Sequence, residues 1–340
     1  MKTRIWFNRT FSTAFHFIDM IRNNPDGHEF EFFATHPKKH SIVLQAADYA
    51  EIEPSLDVED YIQYCLDFCK KHKIDVFVPN LHLVEIAKHV NRFEEIGTKV
   101  LVSSDYDLLQ RISNKGTLFD SLRSVQGVEL PEYRIVNDSG SFLRSVIELQ
   151  EKGYKVCFKP ANGEGGVGFR VIEKKKNTIG SLLGPLSNRI SLEEAYQILS
   201  VERSFDDVMV MEYLDGFEYS IDCLAFNGKL LAAVPRKKVE GRIRLLEEND
   251  ELITLAHVIH NKLQLPYNFN IQIIYKNGIP KLLEINPRTS GGLFVSCLTG
   301  INFPYLAVKL LLSGEADVPA PNYNILATHF EKELRLVRAF

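Results

Sequence analysis

The sequence predicts an α/β lobe built on a parallel sheet, followed by an α+β region whose sheet is largely antiparallel. Three observations lead there. In the first third, short apolar runs alternate with stretches of helical spacing, the pattern of parallel strands joined by crossover helices. In the last third, strand-like runs follow one another with Asn227-Gly228 and Asn277-Gly278 between them, a tight-hairpin signal. The length, 340 residues, is too great for one small core and suits two or three lobes.

The elements follow in order. Arg4–Asn8 reads as a strand, Phe11–Ile21 as a helix and Glu29–Ala34 as a second strand. Asp57–His72 is a helix because Val58, Tyr61, Ile62, Cys65, Leu66 and Phe68 recur on one face. Asp75–Val78 is a strand closed by Pro79, Leu81–Glu95 a helix and Lys99–Ser103 a strand. The first turn, NRTFST, lacks the GxGxxG phosphate loop, so no dinucleotide is assigned to this lobe. Asn114–Ser124 is a helix. Tyr133–Val136 and Lys155–Lys159 are strands with a helix between them. Asn162–Gly168 is a glycine-rich loop, Phe169–Glu173 the strand that leaves it and Ser191–Ser200 a helix. Strands Val208–Tyr213, Glu218–Phe226 and Lys229–Pro235 come next, then the helix Asp250–Leu263 and strands Phe269–Tyr275 and Pro280–Ile285.

Composition narrows the function classes. The hydrophobic fraction is 45%, the charged fraction 25% and the net charge −4, which points to neither a nucleic-acid partner nor an anionic membrane surface. The run Lys174-Lys175-Lys176 reads as a solvated turn. Five cysteines, odd in number and without a CxxC pair, fit a reducing cytosol better than a disulfide scaffold or a zinc site. Cys157 and Cys223 sit in apolar strand patterns and are expected in the core, while His82 and His89 fall in a helical pattern with no evident partner. MKTRIWFNRT has no signal-peptide stretch, and no segment approaches the roughly 20 apolar residues of a membrane span. A soluble, cytoplasmic protein is expected.

Three stretches carry chemistry. In Phe158-Lys159-Pro160-Ala161-Asn162-Gly163-Glu164-Gly165-Gly166-Val167-Gly168, a strand delivers a lysine to a loop of glycines, whose N–H groups can turn toward phosphate oxygens. It is not a P-loop, because the lysine precedes the glycines, and a flexible hairpin tip reads equally well. In MEYLDGFEYSID, Glu212 and Glu218 flank a turn at Gly216; a strand edge there can offer backbone groups to an adenine ring, and a carboxylate can take ribose hydroxyls. Solvated acids at a surface turn are the alternative. The third stretch is the sharpest. Asn270, Gln272, Glu284, Asn286 and Arg288 lie on two strands joined by a short hairpin, so alternation can gather amides, a carboxylate and an arginine at one sheet end. Such an oxygen-rich set suits Mg²⁺ shared with substrate phosphates, the alternative being a structural hydrogen-bond ladder. Thr289-Ser290-Gly291-Gly292 adds a flexible loop at that edge.

In this order the three stretches resemble the ATP-grasp superfamily, over roughly residues 110–315. The flavour is similar to the carbamoyl-phosphate synthase and biotin carboxylase branch and to short stand-alone relatives, some of which sit beside tellurium-resistance operons. The resemblance implies a pre-ATP-grasp α/β domain at 1–110, an ATP-grasp lid subdomain at 111–205 and a C-terminal catalytic subdomain at 206–340. It implies ATP between two lobes, with Lys115 and Lys159 on its phosphates and Gly163, Gly165, Gly166 and Gly168 in the flap. The backbone of Glu212 and Leu214 would meet adenine, Glu218 the ribose, and Ile274 and Leu283 the adenine face. Glu284, Asn286 and Gln272 would hold Mg²⁺ or Mn²⁺. A neutral amide at Gln272, where many relatives carry an acid, leaves one or two metals open. Arg288 would steady the transferring phosphoryl group. The basic loop Pro235–Arg242 would supply Arg236 or Lys238 to the γ-phosphate or the substrate carboxylate, though each reads equally as a solvated charge.

The implied activity is ADP-forming ligation of a small-molecule carboxylate to an amine, or to a thiol, through an acyl-phosphate. Two alternatives stand beside it: phosphorylation of carbamate, bicarbonate or another small carboxylate, and a non-catalytic ATP-binding regulatory module. The family also allows a homodimer. No nucleophilic Cys or Ser is assigned.

Overall fold

The computed structural model describes residues 2–163, 166–174, 183, 187–330 and 333–336. Contacts divide the chain into two units. The first comprises Met1–Gln110, Phe217–Ile273 and Ile285–Phe340, the second Arg111–Gly216 and Ile274–Glu284. Most of the last third of the chain shares the first unit with the N-terminal third. Packing explains this: helix Phe303–Ser313 lies on helix Ala14–Arg22. Asn302 Nδ2 donates to Met20 O at 2.9 Å, and Tyr305 OH and Lys309 Nζ donate to Asp26 at 2.5 and 2.6 Å. One apolar core runs from Ile5, Phe17 and Phe32 to Leu224, Val234 and Phe303.

The first unit opens with a parallel sheet of β1 (Thr3–Asn8), β2 (Phe30–His36), β3 (Tyr49–Ile52), β4 (Val76–Val78) and β5 (Lys99–Val100), ordered β3-β2-β1-β4-β5. Central β1 is apolar on both faces, as a strand covered by helices must be. Trp6 stacks on Phe68 and Phe77, centroids 4.3 Å away in each case. Helix Val58–His72 starts where Asp57 accepts from the Asp60 N–H at 3.0 Å, and its last turn carries Lys70, Lys71 and His72 against the helix dipole.

In the second unit, β6 (Tyr133–Val136), β7 (Val156–Pro160), β8 (Arg170–Ile172), β9 (Arg189–Ile190) and β10 (Val208–Glu212) form a sheet ordered β6-β10-β7-β8-β9. Helix Ser139–Glu151 covers it, burying Phe142, Val146 and Leu149 against Val156 and Val210.

The last sheet contains β11 (Glu218–Phe226), β12 (Lys229–Glu240), β13 (Ile243–Leu246), β14 (Tyr267–Lys276), β15 (Ile279–Asn286) and β16 (Ile325–Ala327), ordered β15-β14-β11-β12-β13-β16. Helix Asp250–Leu263 packs on β11 and β12, and the β14–β15 hairpin tip belongs to the second unit.

Several expectations need correction. The first helix begins at Ala14, because residues 11–13 form a turn whose carbonyls take the N–H groups of Ala14, Phe15 and His16. The helix expected over Leu81–Glu95 is two, Leu83–Lys88 and Val90–Glu95, broken at His89. Pro235–Arg242 is not a loop: β12 runs through to Glu240 and pairs with β13. Cys157 and Cys223 are core residues, and burial pushes the Cys157 thiol up to about 12. Among the described residues no single helix is long and apolar enough to cross a membrane.

Candidate functional site

The second unit gathers two lysines around one carboxylate. Asn114 caps helix Lys115–Leu122, its side chain accepting from the N–H groups of Gly116 and Thr117 at 2.8 and 3.2 Å. Lys115 therefore stands in the first turn, where a cation opposes the helix dipole. Its Nζ donates to Gly163 O at 2.7 Å and lies 3.8 Å from Glu284 Oε2. Lys159, next to last in β7, is 7% exposed. Burial, and then the like charge of Lys115, lower its pKa to about 8, with Glu284 pulling the other way. Among the described residues, two buried lysines thus stand beside one carboxylate, a grouping of charge that is common at functional sites.

The glycine loop begins beside them. Gly168 has φ +75°, and a Cβ there would stand 2.8 Å from Pro160 Cδ. Gly163 and Gly166 also have positive φ, while Gly165 lies outside the described residues. Glu212, 1% exposed, is held from both ends. Its carboxylate pairs with Lys281 and accepts from the Glu132 N–H, and its own N–H donates to Glu132 O at 2.9 Å. The side chain is thus a fixed strut. Leu214 is buried. The Tyr213 ring is 6.5 Å from the Phe169 ring and 4.9 Å from the Lys155 ammonium. Gly216 is mandatory, since a Cβ would fall 2.1 Å from Tyr275 O. Ile274 and Leu283 are half-buried residues of β14 and β15.

In the first unit, Gln272 is half-buried on β14 and Asn286 half-buried at the end of β15. Arg288 lies over the Phe11 ring at 4.6 Å and donates to Thr289 O at 2.9 Å. Asn270 does not join Gln272. It is fully buried and donates to Asp222 Oδ1 at 2.8 Å. That carboxylate also accepts from Ser290 Oγ at 2.7 Å, Ser296 Oγ at 2.6 Å and Arg236 Nη2 at 3.1 Å. Arg236 reaches Ser290 and Ser296 as well, each at 3.1 Å. Gly292 lies against the guanidinium so closely that a Cβ would be 2.5 Å from Nη1. Arg236 is therefore committed inside the protein rather than presented on a loop. The tail after β15 is tied down by Ser290 and Ser296 rather than slack. Lys238 pairs with Glu218 at 3.1 Å, both side chains more than a third exposed.

Sequence reasoning missed Asp222, Ser296 and Lys281 as partners. Asp222 had one signal, an acid in the apolar run Ile221–Phe226; Lys281 had none.

Comparison with known proteins fits this geometry. The family described as ATP-grasp in the biosynthetic pathway with Ter operon matches residues 204–333. The carbamoyl phosphate synthase arginine-specific large chain of Geobacillus stearothermophilus is 22% identical over 293 residues, 84% of this chain and 26% of that one. The chain spans about a quarter of the length of the carbamoyl phosphate synthase large chains it matches. N5-carboxyaminoimidazole ribonucleotide synthetase, solved as its ADP complex, shares the fold at TM-score 0.68 and 14% identity, over 95% of this chain and 80% of that one. Biotin carboxylase of Campylobacter jejuni, in a β-γ-ATP complex, does so at TM-score 0.68 and 16% identity, over 94% and 72%. The motif order, the sheet topology and these matches make the chain similar to ATP-grasp proteins, in particular to those of the carbamoyl-phosphate synthase and biotin carboxylase branch.

Proposed function

We propose that this chain binds Mg·ATP and uses it to activate a small-molecule carboxylate for ligation to an amine or a similar nucleophile, releasing ADP. The observation that carries the reading is the corner where two buried lysines, Lys115 and Lys159, meet the Glu284 carboxylate at the start of the glycine loop. The nucleotide complexes of the two fold neighbours support it.

The donor set fits a magnesium ion. Glu284 would supply one carboxylate, and Asn286 and Gln272 would supply amide oxygens, with no nitrogen or sulfur ligand among them. Magnesium commonly takes one or two carboxylates and completes its shell with phosphate oxygens and water. When bound, it would neutralise phosphate charge and favour in-line phosphoryl transfer.

The remaining work falls to the protein. Lys115 and Lys159 hold the phosphates, and Arg288 balances the charge that develops on the transferred group. The glycine loop from Gly163 to Gly168 excludes water from a labile acyl-phosphate. Glu212, fixed by Lys281 and Glu132, keeps the strand edge ready for adenine. Glu218 is the group proposed for the ribose, and Lys238 its neighbour for the γ-phosphate or the substrate. Arg236 acts from within, by fixing the Ser290–Ser296 segment that follows Arg288.

The test is ADP release from Mg·ATP with hydroxylamine across a panel of amino acids and small carboxylates. ADP together with a hydroxamate from one of them is expected, since hydroxylamine intercepts acyl-phosphates. Glu284→Ala should abolish that turnover while the far-UV spectrum stays unchanged. Near-normal turnover in the variant would sink the metal role of Glu284. Nucleotide binding without ADP from any carboxylate would make the chain a non-catalytic ATP-binding module.

A further inference from the structure

The parallel sheet of the first unit has its topological switch at β1. The chain leaves β1 toward β2 on one side, and β4 lies on the other. In open α/β sheets, ligands bind beyond the carboxyl ends of the strands at such a point. Asn8, the last residue of β1, is fully buried and bridges the switch. Its Oδ1 accepts from the Asn80 N–H at 2.7 Å, just past β4, and its Nδ2 donates to Tyr61 OH at 2.8 Å.

Arg9 follows, with φ +32°, a conformation that a residue with a side chain adopts only under constraint. Its Nε donates at 2.6 Å to Glu53, whose side chain is completely buried. Glu53 also accepts from Thr35 Oγ1 at 2.9 Å, and Thr35 accepts from Trp6 Nε1 at 3.1 Å. The Tyr61 ring lies 5.6 Å from the guanidinium carbon. The guanidinium is thus gripped at Nε. Its Nη2 reaches only Pro54 O, at 3.4 Å, and among the described residues nothing meets Nη1.

A buried carboxylate is costly unless it is paired and hydrogen-bonded, and Glu53 is both. What Glu53 fixes is the planar fork that recognises oxyanions in bidentate fashion. Burial, and after it the charges of Lys38 and Arg9, lower the pKa of His36 at the end of β2. The same loop carries Phe11, on which Arg288 lies, and Thr13, whose hydroxyl is buried with no partner among the described residues.

We infer that this strand-end cluster is an oxyanion site: Arg9, held by Glu53 and Tyr61 at the β1 switch point, binds a carboxylate or phosphate group of the small molecule on which the enzyme acts. That the bound molecule is the one acted on rests on the proposed ligase activity; oxyanion binding at Arg9 does not.

The experiment titrates inorganic phosphate, then acetate, into the full chain carrying Lys159→Met, which weakens the proposed nucleotide-phosphate site. Phosphate binding is expected to persist there, and to fall at least about tenfold when Arg9→Gln and Glu53→Gln are added together, a pair that leaves no unpaired buried charge. Equal phosphate affinity with and without that pair would overturn the inference. Acetate binding as tightly as phosphate would identify a carboxylate site, and much weaker acetate a phosphate site. Should the double substitution fail to fold, Arg9→Lys keeps a charge on Glu53 but loses the fork; undiminished phosphate affinity in it would be equally fatal. ADP titration of the unsubstituted protein is read separately, so loss of the ATP reading leaves the Arg9 result standing.

Discussion

Lys159 in the second unit and Arg236 in the first are each 7% exposed, yet their surroundings differ in kind. Arg236 has Asp222, Ser290 and Ser296 on its nitrogens, and Asp222 is further filled by Asn270. Lys159 has a second lysine as neighbour, and its pKa falls to about 8. A buried charge that is fully matched costs little once formed and holds elements in place. A buried charge left unbalanced weakens the empty protein and is relieved when a ligand of opposite sign arrives. The first arrangement reads as a frame; the second is the one proposed above to bind the nucleotide. The predictions below try that distinction from the largest expected effect to the smallest.

If the Asp222 cluster is a frame, removing one member should be severe and removing the charges together mild. Asp222→Ala removes the carboxylate partner of the Arg236 guanidinium and of three other donors, Asn270, Ser290 and Ser296. Chemical denaturation should show a loss of about 3–5 kcal/mol. Asp222→Leu combined with Arg236→Met should recover most of it, since apolar replacements of a buried pair are often nearly neutral. A loss below about 1 kcal/mol in the single variant would show that the cluster is not what orders the Ser290–Ser296 segment.

The same cluster shows what a sequence can disclose. The helices Val58–His72 and Asp250–Leu263 and the strand Glu218–Phe226 were legible because periodicity, caps and turn residues agree within each segment. Tyr49–Ile52, Ile243–Leu246 and Ile325–Ala327 were not. They are short and partly exposed, and they exist as strands because a neighbour pairs with them. Pro235 looked like a strand end, which sent Arg236 to a loop. In the fold Pro235 pairs with Ile221, and the β13 ladder begins only at Arg236, so its missing N–H is tolerated. Lys115, Lys159 and Glu284 were readable as types in a motif order. That Lys115 and Glu284 stand 3.8 Å apart, from positions 169 residues apart in sequence, is a property of tertiary structure alone.

Lys159→Met should move stability the other way. A lysine held near 8 when folded but about 10.4 when unfolded binds fewer protons in the native state between those values. Its contribution therefore grows as pH rises from about 8 to about 10 and is unfavourable below. At neutral pH the variant should be more stable than the parent by on the order of 1–3 kcal/mol, and its rise in stability through that window should vanish. ADP affinity should drop in the variant, and in the parent it should decline above about pH 8 as the ammonium is lost. A variant less stable at neutral pH would place Lys159 with Arg236, among the frame residues.

The smallest effect concerns the exposed pair. Lys238 and Glu218 stand 3.1 Å apart with side chains 50% and 36% exposed, a geometry usually worth under about 1 kcal/mol. Lys238→Gln should leave the melting curve almost unchanged, and salt should screen what little there is. Stability is then no guide to the purpose of Lys238, and kinetics must decide. If the pair is only a solvated contact across β11 and β12, kcat and KM for ATP will both survive the substitution. If Lys238 meets a phosphate or the substrate carboxylate, kcat/KM should fall about tenfold or more with no change in melting, because that interaction exists only when ligand is bound. A third class of charge then joins the frame and the buried site: one that rests in solvent on a weak partner and exchanges it for the ligand.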